Sequence, residues 1–103
     1  MRFLTNEDFK EAIKEGVTLV DFFATWCGPC KMLSPVVEQL AEEMGDRANF
    51  FKVDVDEADE IAAEFGIMSV PTLIVFKDGE PVKKSVGFQP KPVLKAMLEE
   101  YLA

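Results

Sequence analysis

Two cysteines three residues apart, Cys27 and Cys30, are the side chains in this sequence best suited to chemistry. A thiolate is a nucleophile, and a second thiol one helical turn away can displace whatever the first captures by closing a disulfide. The pair lies in Trp26-Cys27-Gly28-Pro29-Cys30, directly after an unbroken apolar run and at the head of the longest helical pattern. Cys27 therefore stands at a helix start, where unpaired amides and the positive end of the helix dipole favour a thiolate over a thiol. Pro29 suits the first turn, where a missing amide costs no intrahelical bond. Cys30, a turn inward on the apolar stripe, is expected to be the more buried and less ionised sulfur. That asymmetry makes Cys27 the attacking sulfur and Cys30 the resolving one.

Other uses of two cysteines are weaker fits. A structural zinc site needs four ligands, and the chain has two Cys and no His, so only carboxylates or a second copy could complete it. An iron-sulfur cluster fails on the same count, and Lys31 stands where covalent haem attachment needs His. A purely structural disulfide over so short a loop would restrict the unfolded chain little.

The elements that hold this pair must come from 103 residues, a length that allows a single domain over 1–103 with one core. Hydrophobic residues make up 49% of the chain and charged ones 29%, as in ordinary globular proteins. The formal charge of −8, without a dense Lys/Arg cluster, argues against nucleic acid as a partner. No apolar run approaches the ~20 residues of a membrane span. Met1 to Asp8 reaches charge too early for a signal peptide, so a soluble, cytoplasmic protein is expected.

Asn6 to Lys14 reads as a short helix closed by Gly16. Val17 to Ala24 is a continuous apolar run broken only by Asp21, the pattern of a central strand covered on both faces. Cys30, Leu33, Val36, Val37, Leu40, Ala41 and Met44 keep a 3.6-residue period up to Gly45, which supplies a stop. Asn49 to Val55 alternates as a second strand, and strand-helix-strand in that order makes a parallel βαβ unit. Ala58, Ile61, Ala62 and Phe65 mark a third helix before Gly66. Thr72 to Phe76, Asp78-Gly79 and the alternation Val82, Lys84, Val86 make a hairpin with an edge strand. Leu94, Met97, Leu98 and Tyr101 form the apolar side of a last helix begun near Lys91-Pro92. The expected architecture is α/β, a mixed sheet with helices on both faces. Ligand sites in such sheets lie at the carboxyl ends of the parallel strands, where Trp26 to Cys30 falls.

Asp21-Phe22-Phe23-Ala24-Thr25-Trp26-Cys27-Gly28-Pro29-Cys30-Lys31-Met32, then Lys52-Val53-Asp54-Val55-Asp56, Val70-Pro71-Thr72-Leu73, Lys77-Asp78-Gly79 and Val86-Gly87 resemble the thioredoxin family in order and spacing. The resemblance covers nearly the whole chain. It implies the thioredoxin fold, a five-stranded mixed sheet with four helices; the start departs from the pattern in being slightly short, so a first strand over Met1 to Thr5 is expected only as a stub. Phe23 departs from the pattern, standing where many members carry a second Trp. The implied activity is that of a general protein-disulfide reductase and dithiol electron carrier, an enzyme with no bound cofactor or metal. Its partners would be disulfide-containing proteins and a thioredoxin reductase, and a monomer is expected.

The resemblance also gives roles to residues that are ambiguous alone. Asp21 either points into solvent or is buried with a raised pKa; family members place this carboxylate below the second Cys as its proton acceptor. Lys52, by itself an ordinary solvated strand residue, would then modulate Asp21. X-Pro bonds are mostly trans, but the family carries a cis proline at Pro71, which would turn the Val70 backbone toward an extended substrate. Trp26, Gly28, Pro29, Met68, Val70, Pro71, Gly87 and Phe88 would form the substrate-binding rim around Cys27. Asp54 to Glu60 is acidic, but Ala58 and Asp59 break the EF-hand pattern, so a solvated turn is expected. Two other classes stay open: a non-catalytic binding subunit that uses the rim, and a metal site shared between two copies through both C-x-x-C pairs.

Overall fold

An apolar run in which every side chain is buried must lie mid-sheet with both faces covered, and Val17–Phe23 does so in the computed structural model, which describes residues 1–102. In chain order the elements are β1 (Arg2–Phe3), α1 (Phe9–Ala12), β2 (Val17–Phe23), α2 (Gly28–Met44), β3 (Asn49–Asp54), α3 (Asp59–Glu64), β4 (Thr72–Lys77), β5 (Glu80–Val86) and α4 (Lys91–Glu99). The five strands form one mixed sheet in the order β1-β3-β2-β4-β5. β1, β3 and β2 are parallel, and β4 and β5 are antiparallel to their neighbours.

The two-residue period of β2 divides the core. Val17 and Leu19 face α2 and α4, where Leu33, Val37, Leu40, Leu94 and Leu98 pack with Leu73 and Val75 of β4. Val20 and Phe22 face α1 and α3, among Phe9, Ile61, Ile74 and Phe76. Asp21 shares the α2 side by the same alternation. Its neighbours in register are Lys52 of β3 and Leu73 of β4.

Three local expectations change. The first helix shrinks from Asn6–Lys14 to α1 because Thr5 and Asp8 bond reciprocally in the turn before it: the Thr5 amide donates to Asp8 Oδ1 at 2.7 Å and the Asp8 amide to Thr5 Oγ1 at 3.3 Å. Gly45 does stand at the end of α2, but in right-handed conformation with φ −64°. A side chain there would meet the Ala41 carbonyl oxygen at 2.6 Å, so close approach calls for the glycine. Tyr101 lies beyond α4, where its hydroxyl donates to the Val82 carbonyl at 3.0 Å. The β4–β5 turn is as expected: Asp78 and Gly79 both have positive φ, 49° and 88°, the geometry of a tight hairpin.

Candidate active site

The site is built where β2 ends and α2 begins. Cys27 is the N-cap residue of α2, in extended conformation, and its Sγ accepts the Cys30 amide at 3.1 Å. A side-chain acceptor at this position satisfies one of the helix's four unpaired amides, and here the acceptor is sulfur. Cys27 and Cys30 are joined as a disulfide with Cα atoms 5.3 Å apart. Pro29 occupies the first turn and Gly28 opens the helix, both exposed.

The expected contrast in burial is absent: Cys27 is 4% exposed and Cys30 3%. Both pack against Phe23 and Ala24, with Val55 and Val70 closing over them. The difference between the sulfurs lies in their polar surroundings. Cys27 Sγ receives the helix amide and lies 3.7 Å from the Val70 carbonyl; among the described residues no donor reaches Cys30 Sγ. Cys30 instead lines a cavity of about 210 Å³ with Phe23, Thr25, Ser34 and Lys52.

The Val70–Pro71 peptide bond is cis. This turn faces the Cys27 sulfur through the Val70 carbonyl. Gly87, with φ 91°, donates its amide to the Pro71 carbonyl at 2.8 Å and so ties the end of β5 to the start of β4. Trp26 is 70% exposed and Met68 95%; Val86, beside Gly87, and Phe88 are exposed as well. Trp26 and Met68 flank a groove of about 120 Å³ whose floor includes Val55 and Val70. Large apolar side chains left in solvent around a reactive pair suit the docking of another protein.

Asp21 is 1% exposed, and among the described residues neither carboxylate oxygen has a hydrogen-bond partner. Of the two readings open to it, burial is the one realised. Desolvation pushes its pKa up to about 6, while the nearby Lys52 charge pulls the other way. Lys52 is half-buried rather than solvated. Its Nζ donates to Ser34 Oγ at 2.9 Å and lies 4.7 Å from the centre of the Phe23 ring and 5.5 Å from that of Phe3.

Two polar contacts carry no local sequence signal. Asp56 accepts the Trp26 indole N–H at 3.0 Å, which anchors an otherwise exposed ring. Ser34 holds Lys52. The acidic turn is tied down as well as solvated: Asp54 Oδ1 accepts the Asp56 amide at 2.9 Å, and Asn6 Nδ2 donates to Asp59 at 3.4 Å.

The thioredoxin family model matches residues 1–100. A thioredoxin of Staphylococcus saprophyticus is 58% identical over 99 residues, 96% of this chain and 95% of that protein. One from Staphylococcus aureus is 54% identical over the same shares. Among solved structures, a mutant thioredoxin from Halobacterium salinarum superposes with a TM-score of 0.92 at 41% identity, covering 99% of this chain and 90% of that one. The thioredoxin of Malassezia sympodialis gives 0.89 at 40%, covering 100% and 91%.

Proposed function

This chain belongs to the thioredoxin family of disulfide oxidoreductases, and from that premise we propose the division of labour within its site. Cys27 attacks a substrate disulfide and forms a mixed disulfide, expelling one substrate thiolate. Cys30 gives its proton to Asp21 and attacks the Cys27 sulfur. The second substrate thiolate leaves, and the Cys27–Cys30 disulfide remains for a separate reductase to reopen. The electrons reside in the sulfurs throughout.

One observation carries the assignment: the Cys30 amide donates to Cys27 Sγ at the N-cap of α2. An N–H aimed at the sulfur stabilises its anion and so marks Cys27 as the attacking sulfur. Asp21 suits proton acceptance because it is buried, unpartnered and raised to about 6, nearer the working pH than an ordinary carboxylate. The rim of Trp26, Gly28, Pro29, Met68, Val70, Pro71, Gly87 and Phe88 receives an extended protein segment, with Val70 offering backbone bonds. A single redox unit over 1–103, acting as a cytoplasmic monomer, fits this reading.

The test is covalent trapping. Cys30→Ser should accumulate a stable mixed disulfide with a protein substrate, detected by mass, because nothing resolves it. Cys27→Ser should trap nothing and reduce nothing. Equal residual reductase activity in the two variants would reject the assignment.

A further inference from the structure

Asp21 and Lys52 stand directly opposite each other in the β2–β3 register, on the face of the sheet covered by α2. Opposite charges so placed, in a poorly hydrated interior, attract strongly. Yet they do not form an ion pair: both Asp21 oxygens lack a partner among the described residues, and the ammonium is bonded elsewhere. Among the described residues its hydrogen-bond acceptor is Ser34 Oγ at 2.9 Å, and the Phe23 and Phe3 rings flank it. Ser34 lies four residues after Cys30 on α2, hence on the same side of that helix one turn further on. Ser34, Lys52 and Cys30 line the same cavity.

Lys52 is one of several titratable or charged groups on the elements packed around Asp21. α2 contributes Cys30, in the disulfide, and Lys31, exposed at the cavity mouth. β3 contributes Asp54, two residues beyond Lys52 and bonded to the Asp56 amide. β4 sets the apolar Leu73 opposite Asp21. On α4, Lys91 and Lys95 both pair with Glu43 of α2. Lys52 is thus the cation available to the carboxylate, and Ser34 is what competes for it.

We propose that Ser34 is a positioning residue for the resolving step: its hydroxyl holds the Lys52 ammonium out of ion pairing with Asp21, leaving the carboxylate unpaired and able to take the Cys30 proton. The role rests on the reading of Asp21 as that acceptor. In the step itself the Cys30 S–H proton passes to Asp21, and the sulfur's electron pair forms the bond to Cys27. The Cys27–substrate S–S bond breaks with its pair going to the substrate sulfur, which leaves as a thiolate and is protonated by solvent. An Asp21 locked to Lys52 would be a weaker base and would make this transfer harder.

Two readouts on the whole protein test the proposal. The first is the carboxyl titration of Asp21 followed by carbon NMR in the disulfide form, where no thiol titrates. The second is the pH profile of protein-disulfide reduction. Ser34→Ala frees the ammonium, so the Asp21 midpoint should fall by about one unit, as for a carboxylate gaining a close cation, and the acid limb of the reduction profile should fall with it. Ser34→Thr retains the hydroxyl and should restore both. In a Lys52→Met background, Ser34→Ala should move neither. An unchanged Asp21 midpoint in Ser34→Ala, or a shift that persists without Lys52, overturns the clamp. A midpoint that falls while the reduction profile stays fixed leaves the clamp standing and overturns Asp21 as proton acceptor, and with it Ser34's part in catalysis.

Discussion

Asp21 sets the fold and the chemistry against each other within one side chain. A carboxylate 1% exposed and without a hydrogen-bond partner destabilises the native state whenever it is ionised. Its pKa lies near 4 in an unfolded chain and is raised to about 6 in the folded one. Between those values the native state holds a proton that the unfolded state has lost, so stability falls as pH rises through that window and is level above it. A difference of about two units corresponds to about 3 kcal/mol. Asp21→Asn retains the shape and removes the charge. Guanidinium unfolding of the disulfide form should therefore show it about 3 kcal/mol more stable than the parent at pH 8 and nearly equal at pH 4. The same variant should resolve mixed disulfides more slowly, so that stability rises as activity falls. Equal stability of parent and variant at pH 8 would mean that the native structure solvates this carboxylate.

At the scale of elements, what the sequence makes legible is whatever repeats locally. The 3.6-residue spacing from Cys30 to Met44 predicts α2, whose buried Leu33, Val37 and Leu40 follow that spacing, and the continuous run from Val17 predicts the central strand. Asp78-Gly79 predicts its hairpin because few residues tolerate positive φ. Contacts between elements leave no such trace: Lys52 meets Ser34 across 18 positions and Trp26 meets Asp56 across 30. The cis bond before Pro71 and the role of Asp21 are legible only through family resemblance, since a proline or an aspartate alone favours neither. Gly87 is a link between elements that can be tested. It has φ 91° with open space around its Cα, and its amide fastens β5 to the Pro71 carbonyl. Gly87→Ala should cost about 1–2 kcal/mol through backbone conformation, not collision. Loosening this tie displaces the rim more than the cysteines. Reduction of a protein disulfide should therefore slow several-fold, while reaction with a small aromatic disulfide stays close to the parent rate; equal slowing of both would place Gly87 outside the docking rim.

For the whole molecule, the sheet separates two apolar cores with different duties. One lies under α2 and α4 and supports the helix that carries the cysteines. The other, under α1 and α3, is dominated by aromatic rings: Phe9 lies 5.5 Å from Phe65, 5.6 Å from Phe76 and 6.3 Å from Phe22, centre to centre. Phe9 is fully buried and lies outside the group packed around Cys27 and Cys30, which its own core meets at Val55. Removing its ring should cost about 3–5 kcal/mol, the usual effect of a large cavity in a core. That is a large part of the roughly 5–15 kcal/mol that stabilises a domain of this size. Distant groups joined through so little common packing act nearly independently, so the site should barely register the loss while the chain is folded. Phe9→Ala should lower the guanidinium midpoint sharply, yet at low temperature and without denaturant it should react with a small disulfide within about twofold of the parent rate. A proportional loss of rate in fully folded Phe9→Ala would mean that the aromatic core sets the geometry of α2 through β2, and that the two faces of the sheet act as one unit.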